Sequence, residues 1–272
     1  MNYHNDEWIT NKLKEHYEEA KNFFAEENIV GIFVQGSQNY GLDYEKSDLD
    51  TKLIVTPPLT DLIYNNKPVS TTHVRDNNEH IDFKDIRLYI DCFKKQNLNF
   101  LEILFTPYKI VNPMYKSAWD MLVNNRENIA HMNQVRSVKS MVGVALEKYH
   151  ALQHPYPSKL DILAKHGYDP KQLHHLLRVE DYLERYIAGE TYESCLQPTD
   201  PVYLLQVKKG LYNEADAIAE ANRALERIKS MEQDFLLTHE SSEDELAIKI
   251  LQEVQTIIMK KSIRREIENE TN

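Results

Sequence analysis

Glycine is scarce in this chain, seven in 272 residues, and cysteine is scarcer still, at two. Cys92 and Cys195 form no CxxC pair, so no disulfide framework is expected. No apolar run approaches the roughly 20 residues a helix needs to cross a bilayer. The opening Met-Asn-Tyr-His-Asn-Asp-Glu has neither the basic start nor the apolar stretch of a secretory signal. A cytoplasmic protein without membrane contact is therefore the expectation. The chain has no Gly-Lys-Ser/Thr phosphate loop, no Rossmann glycine set and no Ser/His/Asp arrangement. It also lacks the interleaved aromatic and basic strands of an RNA-binding sheet. Basic charge is in short supply, because 32 Lys and Arg against 43 Asp and Glu leave a net charge of −11. Proteins that grip polynucleotides by their phosphates ordinarily present a basic surface. The balance thus argues against a long nucleic acid as the main ligand, and leaves open a small nucleotide held through metal ions.

What is present is a change of pattern along the chain. A helix is expected over 6–26, with Ile9, Leu13, Tyr17, Phe23 and Phe24 at its apolar positions. Strands are expected at 29–34, at 49–55 ahead of Pro57-Pro58, at 69–75 and at 79–84, with a brief fifth at 108–111. After Asp85 the pattern becomes helical, over roughly 86–105, 114–124, 129–152, 170–189, 198–208, 212–237 and 243–269. This predicts an α+β fold: a small mixed-sheet domain over 1–111, followed by a mostly helical domain over 112–272 that closes a cleft.

The segment Val34-Gln-Gly36-Ser37 through Gly41 to Ser47-Asp48-Leu49-Asp50 carries the chemistry. Gly36 lets backbone approach a phosphate closely, and Ser37 offers a hydroxyl and a backbone N–H. A helix beginning just after Ser37 would add free N–H groups for an anion. Asp48 and Asp50 are two apart at a strand start, so strand period two sets both carboxylates on one face. Neighbouring carboxylates repel unless a cation neutralises them, and Mg²⁺, or Mn²⁺ in its place, takes hard oxygen ligands and arrives with phosphates. In His80-Ile81-Asp82-Phe83-Lys84, Asp82 alternates away from the apolar positions and is a candidate third acid. Asp85 is its rival, with a helix cap as the alternative role. Asp-x-Asp or Gly-Ser alone is common in turns and caps; their ordered combination after a buried strand is far rarer.

These residues resemble the nucleotidyltransferases of the DNA-polymerase-β superfamily, and within it the predicted nucleotidyltransferases of RNA-repair pathways. Two further stretches carry the likeness to that branch: Asp82 through Asn99-Phe-Leu101-Glu102-Ile-Leu-Phe-Thr106-Pro107, and Lys171-Gln-Leu-His174-His175-Leu-Leu-Arg178 leading to Gly189-Glu190. The resemblance implies a mixed sheet flanked by helices, an NTP donor with ATP foremost, Mg²⁺ as cofactor and pyrophosphate as leaving group. It assigns Gly36 and Ser37 to the β- and γ-phosphates, and Asp48, Asp50 and Asp82 to the metals and to catalysis. It names no acceptor; an RNA end, a protein or a small molecule all fit.

The helix from Lys171 has an apolar arc of Leu173, Leu176, Leu177, Val179, Leu183 and Ile187, opposed by Lys171, His175, Arg178, Tyr182 and Arg185. A charged face is normally solvated. The alternative is that Lys171, His175 and Arg178 bind the nucleotide, and the lack of acids in that arc favours it. Adjacent His174 and His175 diverge by about 100° on a helix, which is poor geometry for one metal. Glu102, inside an apolar run, reads either as a buried partner for a base or as the polar edge of an amphipathic helix. The expected activity is transfer of a nucleoside monophosphate to a hydroxyl acceptor. The competing reading is a nucleotide-sensing or partner-binding protein that keeps the scaffold without the chemistry.

Overall fold

The computed structural model describes residues 3–270. In chain order the helices are α1 (Asp6–Ala20), α2 (Leu59–Ile63), α3 (Ile86–Lys94), α4 (Leu98–Leu101), α5 (Lys116–Asn124), α6 (Arg126–Ala130), α7 (Gln134–Ala151), α8 (Leu160–His166), α9 (Pro170–Ile187), α10 (Tyr192–Leu196), α11 (Pro201–Lys208), α12 (Glu214–Thr238) and α13 (Glu245–Glu270). The strands are β1 (Ile29–Gln35), β2 (Asp50–Val55), β3 (Ser70–Val74), β4 (His80–Asp85) and β5 (Lys109–Val111). The fold is α+β, with a small mixed sheet and a mostly helical C-terminal part. Capping explains many of the helix starts. Side chains of Asn5, Asp85, Asn133, Asp169, Asp200 and Asn213 each accept a backbone N–H of the first turn. Pro170 and Pro201 begin two of these helices, where a missing N–H costs nothing.

Contacts divide the chain into two units. The first comprises 1–39, 43–132 and 243–272, and the second 40–42 and 133–242. The division thus falls after Met132 rather than at the change of pattern near residue 112. The physical reason lies in α13, whose buried Ala247, Leu251, Val254 and Ile258 pack on α3, α5 and α6. Its polar side chains also serve the first unit. Ser262 donates to the Thr56 hydroxyl, Glu266 accepts the Leu59 N–H, and Arg265 donates to Asn28.

The first unit is built on the sheet β3-β4-β2-β1-β5, in which only β2 and β4 run parallel. Strand alternation separates its two faces. Leu49, Leu53, Val55, Ile81 and Phe83 join Ile29, Ile32 and Val34 in a core with Ile9, Leu13 and Ala20 of α1. On the opposite face Phe33 meets Trp119 of α5, with ring centroids 4.2 Å apart. Two expected helices are shorter than the apolar periodicity indicates. α1 stops at Ala20 because Phe23 and Phe24 leave the helix axis to pack on Phe83. The stretch 86–105 breaks at Gln96, whose φ is +54°, and restarts with Asn97 as cap.

The second unit is helical throughout. α9 lies at its centre, against α7, α10, α11 and α12. Leu173, Leu176, Leu177, Val179 and Leu183 are buried on it as the apolar arc requires.

Candidate functional site

The β1–β2 pairing ends with Gln35 opposite Asp50, so the Gly36-Ser37 turn and the Asp48-Leu49-Asp50 segment meet at one end of the sheet. Gly36 has φ +92°, a backbone state that glycine adopts without the steric cost paid by other residues. A Cβ there would meet nothing within 4 Å, so space beside the turn is open. Ser37 begins a single turn of 3₁₀ helix that ends at Asn39. Gln38, buried, donates to the Asp48 carbonyl at 2.7 Å and ties the two ends of the loop together.

The stretch around Glu102 fixes this loop. Glu102 is 6% exposed and accepts the Gly36 N–H at 3.2 Å. Thr106 donates to Asn39 Oδ1 at 2.7 Å, while Asn39 donates to the Val34 carbonyl. Glu102 is therefore buried and not a polar helix edge, and where a base was expected opposite it, it accepts a backbone N–H of the glycine turn. Two stretches 66 residues apart, each noted separately in the sequence, form one structure.

Among the expected acids, Asp48 is exposed just before β2 and its carboxylate accepts no hydrogen bond among the described residues. Asp50 opens β2 and accepts the His80 backbone N–H at 2.8 Å, with the His80 ring Nδ1 3.3 Å from the same oxygen. Asp82 lies on β4 opposite Lys52, so Asp50, Lys52 and Asp82 share one sheet face. Asp85 pairs with Val55, on the other face, and caps α3 while both its oxygens engage Arg87. Of the two rival acids, only Asp82 faces with Asp50.

Lys52 and Lys84 change the character of this face. Both are buried, although their alternation on the strands reads as solvent-facing. The Phe100 ring covers them, 4.1 Å from the Lys52 ammonium and 5.2 Å from that of Lys84. Burial pushes the Lys52 pKa down, and Asp82, 3.2 Å from its ammonium, opposes that shift. Lys84 donates to Ser70 at 2.6 Å. In kind, hard carboxylate oxygens suit Mg²⁺. In position the acids do not form a triad: among the described residues no three Asp, Glu, His or Cys side chains converge to hold a metal ion. Asp48, exposed, and Asp50, held by His80, supply carboxylates of the right kind for such an ion.

On the opposite face, His16 is fully buried. Its ring lies 2.9 Å from the Thr51 hydroxyl and 3.1 Å from Glu79 Oε2. Burial lowers the His16 pKa. Burial alone would raise that of Glu79, but hydrogen bonds involving Asn77 and His16, with the Lys12 charge, bring it below the usual carboxylate value.

In the helical unit, Lys171 is exposed, and the Arg178 guanidinium lies 3.5 Å from the centroid of the Tyr40 ring. His175 is half-buried, and desolvation holds it neutral, with His174 and Lys171 adding to the effect. It therefore brings no cationic charge to the stripe. Two other members of the opposing arc do not form a free basic face. Tyr182 is buried, and Arg185 pairs with Glu190 at 2.7 Å and also donates to Ser194. The acid absent from the arc arrives from the turn after α9. His174 points inward, Nδ1 against the Leu204 carbonyl, and burial pushes its pKa down to about 3.

No protein-family model matches this chain, and no curated protein matches it. Among the described residues no helix is long and apolar enough to cross a membrane.

Proposed function

We propose that the protein transfers a nucleoside monophosphate from an NTP, ATP foremost, to a hydroxyl acceptor with release of pyrophosphate. One observation carries this reading. The Gly36-Ser37 turn and the Asp48-x-Asp50 pair leave the sheet at the same end, where the Ser37 hydroxyl and the Asp48 carboxylate make no hydrogen bond or ion pair with other described residues. A phosphate-sized anion and a divalent ion are what such a pair of features is suited to hold. Ser37 would donate to a phosphate oxygen, and the space beside Gly36, where a Cβ meets nothing within 4 Å, lets a phosphate approach the turn. Asp48 and Asp50 would hold the metal, with Asp82 on the same face. When bound, Mg²⁺ or Mn²⁺ supplies Lewis acidity toward the attacking oxygen and the leaving pyrophosphate. His80 orients Asp50 by its backbone N–H. Lys171 and Arg178 are proposed phosphate contacts on their sequence pattern alone. The acidic balance leans toward a protein or small-molecule acceptor, and the resemblance to RNA-repair enzymes leans toward an RNA end.

The test incubates purified protein with Mg²⁺ or Mn²⁺, each labelled NTP, and total RNA or lysate, following pyrophosphate release and label transfer together. Asp48→Ala with Asp50→Ala should abolish both signals, and full activity in that variant would sink the assignment. A second reading, nucleotide binding without transfer, is favoured by the Lys52–Asp82 ion pair, which engages the third acid. It predicts metal-dependent NTP binding with no pyrophosphate release from any acceptor pool.

A further inference from the structure

We infer that Asp82 is the fixed counter-ion of Lys52 and not a metal ligand, so that the centre takes a single divalent ion on Asp48 and Asp50. This rests on the transferase reading above and departs from its expected three acids.

Parallel pairing sets Lys52 directly beside Asp82, and the ammonium lies 3.2 Å from Asp82 Oδ2. The other oxygen, Oδ1, faces the Thr72 hydroxyl at 3.5 Å, from the residue opposite Asp82 on β3. Both carboxylate oxygens are thus met from flanking strands. Lys52 is only 4% exposed, so its stem is packed and its charge cannot swing into solvent as a surface lysine does. Phe100 holds the ammonium from the remaining side, at 4.1 Å. Lys84, also buried, contributes a second ammonium 5.2 Å from the same ring.

Under the Phe100 ring two ammoniums stand beside the one carboxylate of Asp82, so that carboxylate is already neutralised before any ion arrives. A dication at Asp82 would have to displace the packed ammonium of Lys52, and then sit beside that of Lys84. Asp48 differs in every respect: it is exposed and forms no ion pair among the described residues. The strand pair therefore has a built-in positive charge where a second metal ion would otherwise stand. That charge is positioned by packing, and it does not depend on the metal supply.

The experiment counts ions. Wild-type protein is saturated with Mn²⁺ and α,β-methylene-ATP, bound species are separated from free, and Mn²⁺ per bound nucleotide is measured. One ion is expected in the wild type and in Asp82→Asn, and two in Lys52→Met, which releases Asp82. Asp48→Asn with Asp50→Asn should weaken Mn²⁺ binding at least tenfold. Circular dichroism selects folded variants. Because Asp82→Asn strands a buried ammonium, the double variant Lys52→Met/Asp82→Leu, which removes both charges, carries the same count of one. Two ions in the wild type, falling to one in Asp82→Asn or in the double variant, overturn the inference and leave the transferase reading standing. A wild type that binds neither Mn²⁺ nor nucleotide overturns the transferase reading itself.

Discussion

Replacing Glu102 by alanine removes the acceptor of the Gly36 N–H, and the structure sets the size of the effect. A hydrogen bond to a charged acceptor contributes about 1.5–3 kcal/mol, and a buried amide left without a partner costs about 1–3 kcal/mol. Glu102 is 6% exposed, whereas Gly36 is half-buried, so water recovers part of the loss at the amide. The expected cost of Glu102→Ala is about 2 kcal/mol. Glu102→Gln keeps an oxygen in place and should cost about 1 kcal/mol, the difference between a charged and a neutral acceptor. At roughly 2–4 °C per kcal/mol for a domain of this size, the alanine variant melts about 4–8 °C below wild type and the glutamine variant about 2–4 °C below. Thermal melts followed by circular dichroism, with urea titrations to check that m is unchanged, measure the difference. Hydrogen exchange locates it: the Gly36 amide should lose protection in Glu102→Ala and keep most of it in Glu102→Gln. Equal melting points for the two variants would refute the reasoning, since the loss would then belong to charge or packing at Glu102 and not to an acceptor for the turn.

Other perturbations separate the turn's shape from its chemistry. Gly36→Ala should destabilise by about 1–2 kcal/mol from its φ of +92° alone, because the added methyl meets nothing, and a denaturant midpoint reads this directly. Ser37→Ala should leave stability within about 0.5 kcal/mol, since its hydroxyl has no partner among the described residues, yet weaken NTP binding in a titration with Mn²⁺ present. Burial holds His174 at about 3, against 6.5 for the free side chain, so the unfolded chain binds the extra proton between those values and stability falls as pH drops from 6.5 toward 3. The full gap corresponds to roughly 5 kcal/mol at 1.36 kcal/mol per pH unit, and unfolding midpoints of His174→Gln should show a correspondingly shallower slope in that window.

The sheet was legible in the sequence because its strands alternate: Leu49, Thr51, Leu53 and Val55 on one face and Asp50 and Lys52 on the other follow from period two alone. The Gly-Ser turn and the acids were legible for the same reason, since they sit at fixed offsets from a strand end. What alternation cannot show is what covers each face. Lys52 reads as solvent-facing until Phe100, on a separate short helix, is known to lie over it. Glu102 was visible as an odd acid in an apolar run and Thr106 only as part of the stretch that carries the resemblance, and their partners, Gly36 and Asn39, are more than sixty residues away. The same limit applies to α13, whose buried stripe announces that the helix packs without saying on what. It also applies to Arg185, whose neutralising Glu190 lies beyond the helix end.

The β2–β4 pair bears on function through its departure from an ordinary parallel pair. Parallel strands covered on both faces are usually near-continuous apolar runs. Their C-terminal halves here obey this on the α1 face, with Leu53, Val55 and Phe83 buried. The N-terminal half of β2 is polar on both faces: Thr51 meets the His16 ring, which in turn meets Glu79, on one side, and Lys52 meets Asp82 on the other. Matched buried polar groups are often no better for stability than apolar residues of the same shape, and breaking one of them is costly. Stability alone therefore gives no reason to place both networks at one end of the same two strands. That end carries Asp50 and adjoins the Gly36 turn, and the networks hold Thr51 and Lys52, the two residues after Asp50, on opposite sides of the sheet. On the proposed reading, in which Asp50 holds a metal ion beside a phosphate, this carboxylate needs a backbone that does not shift when the charge beside it changes. Polar clamps on both faces supply such a backbone at the strand that carries Asp50.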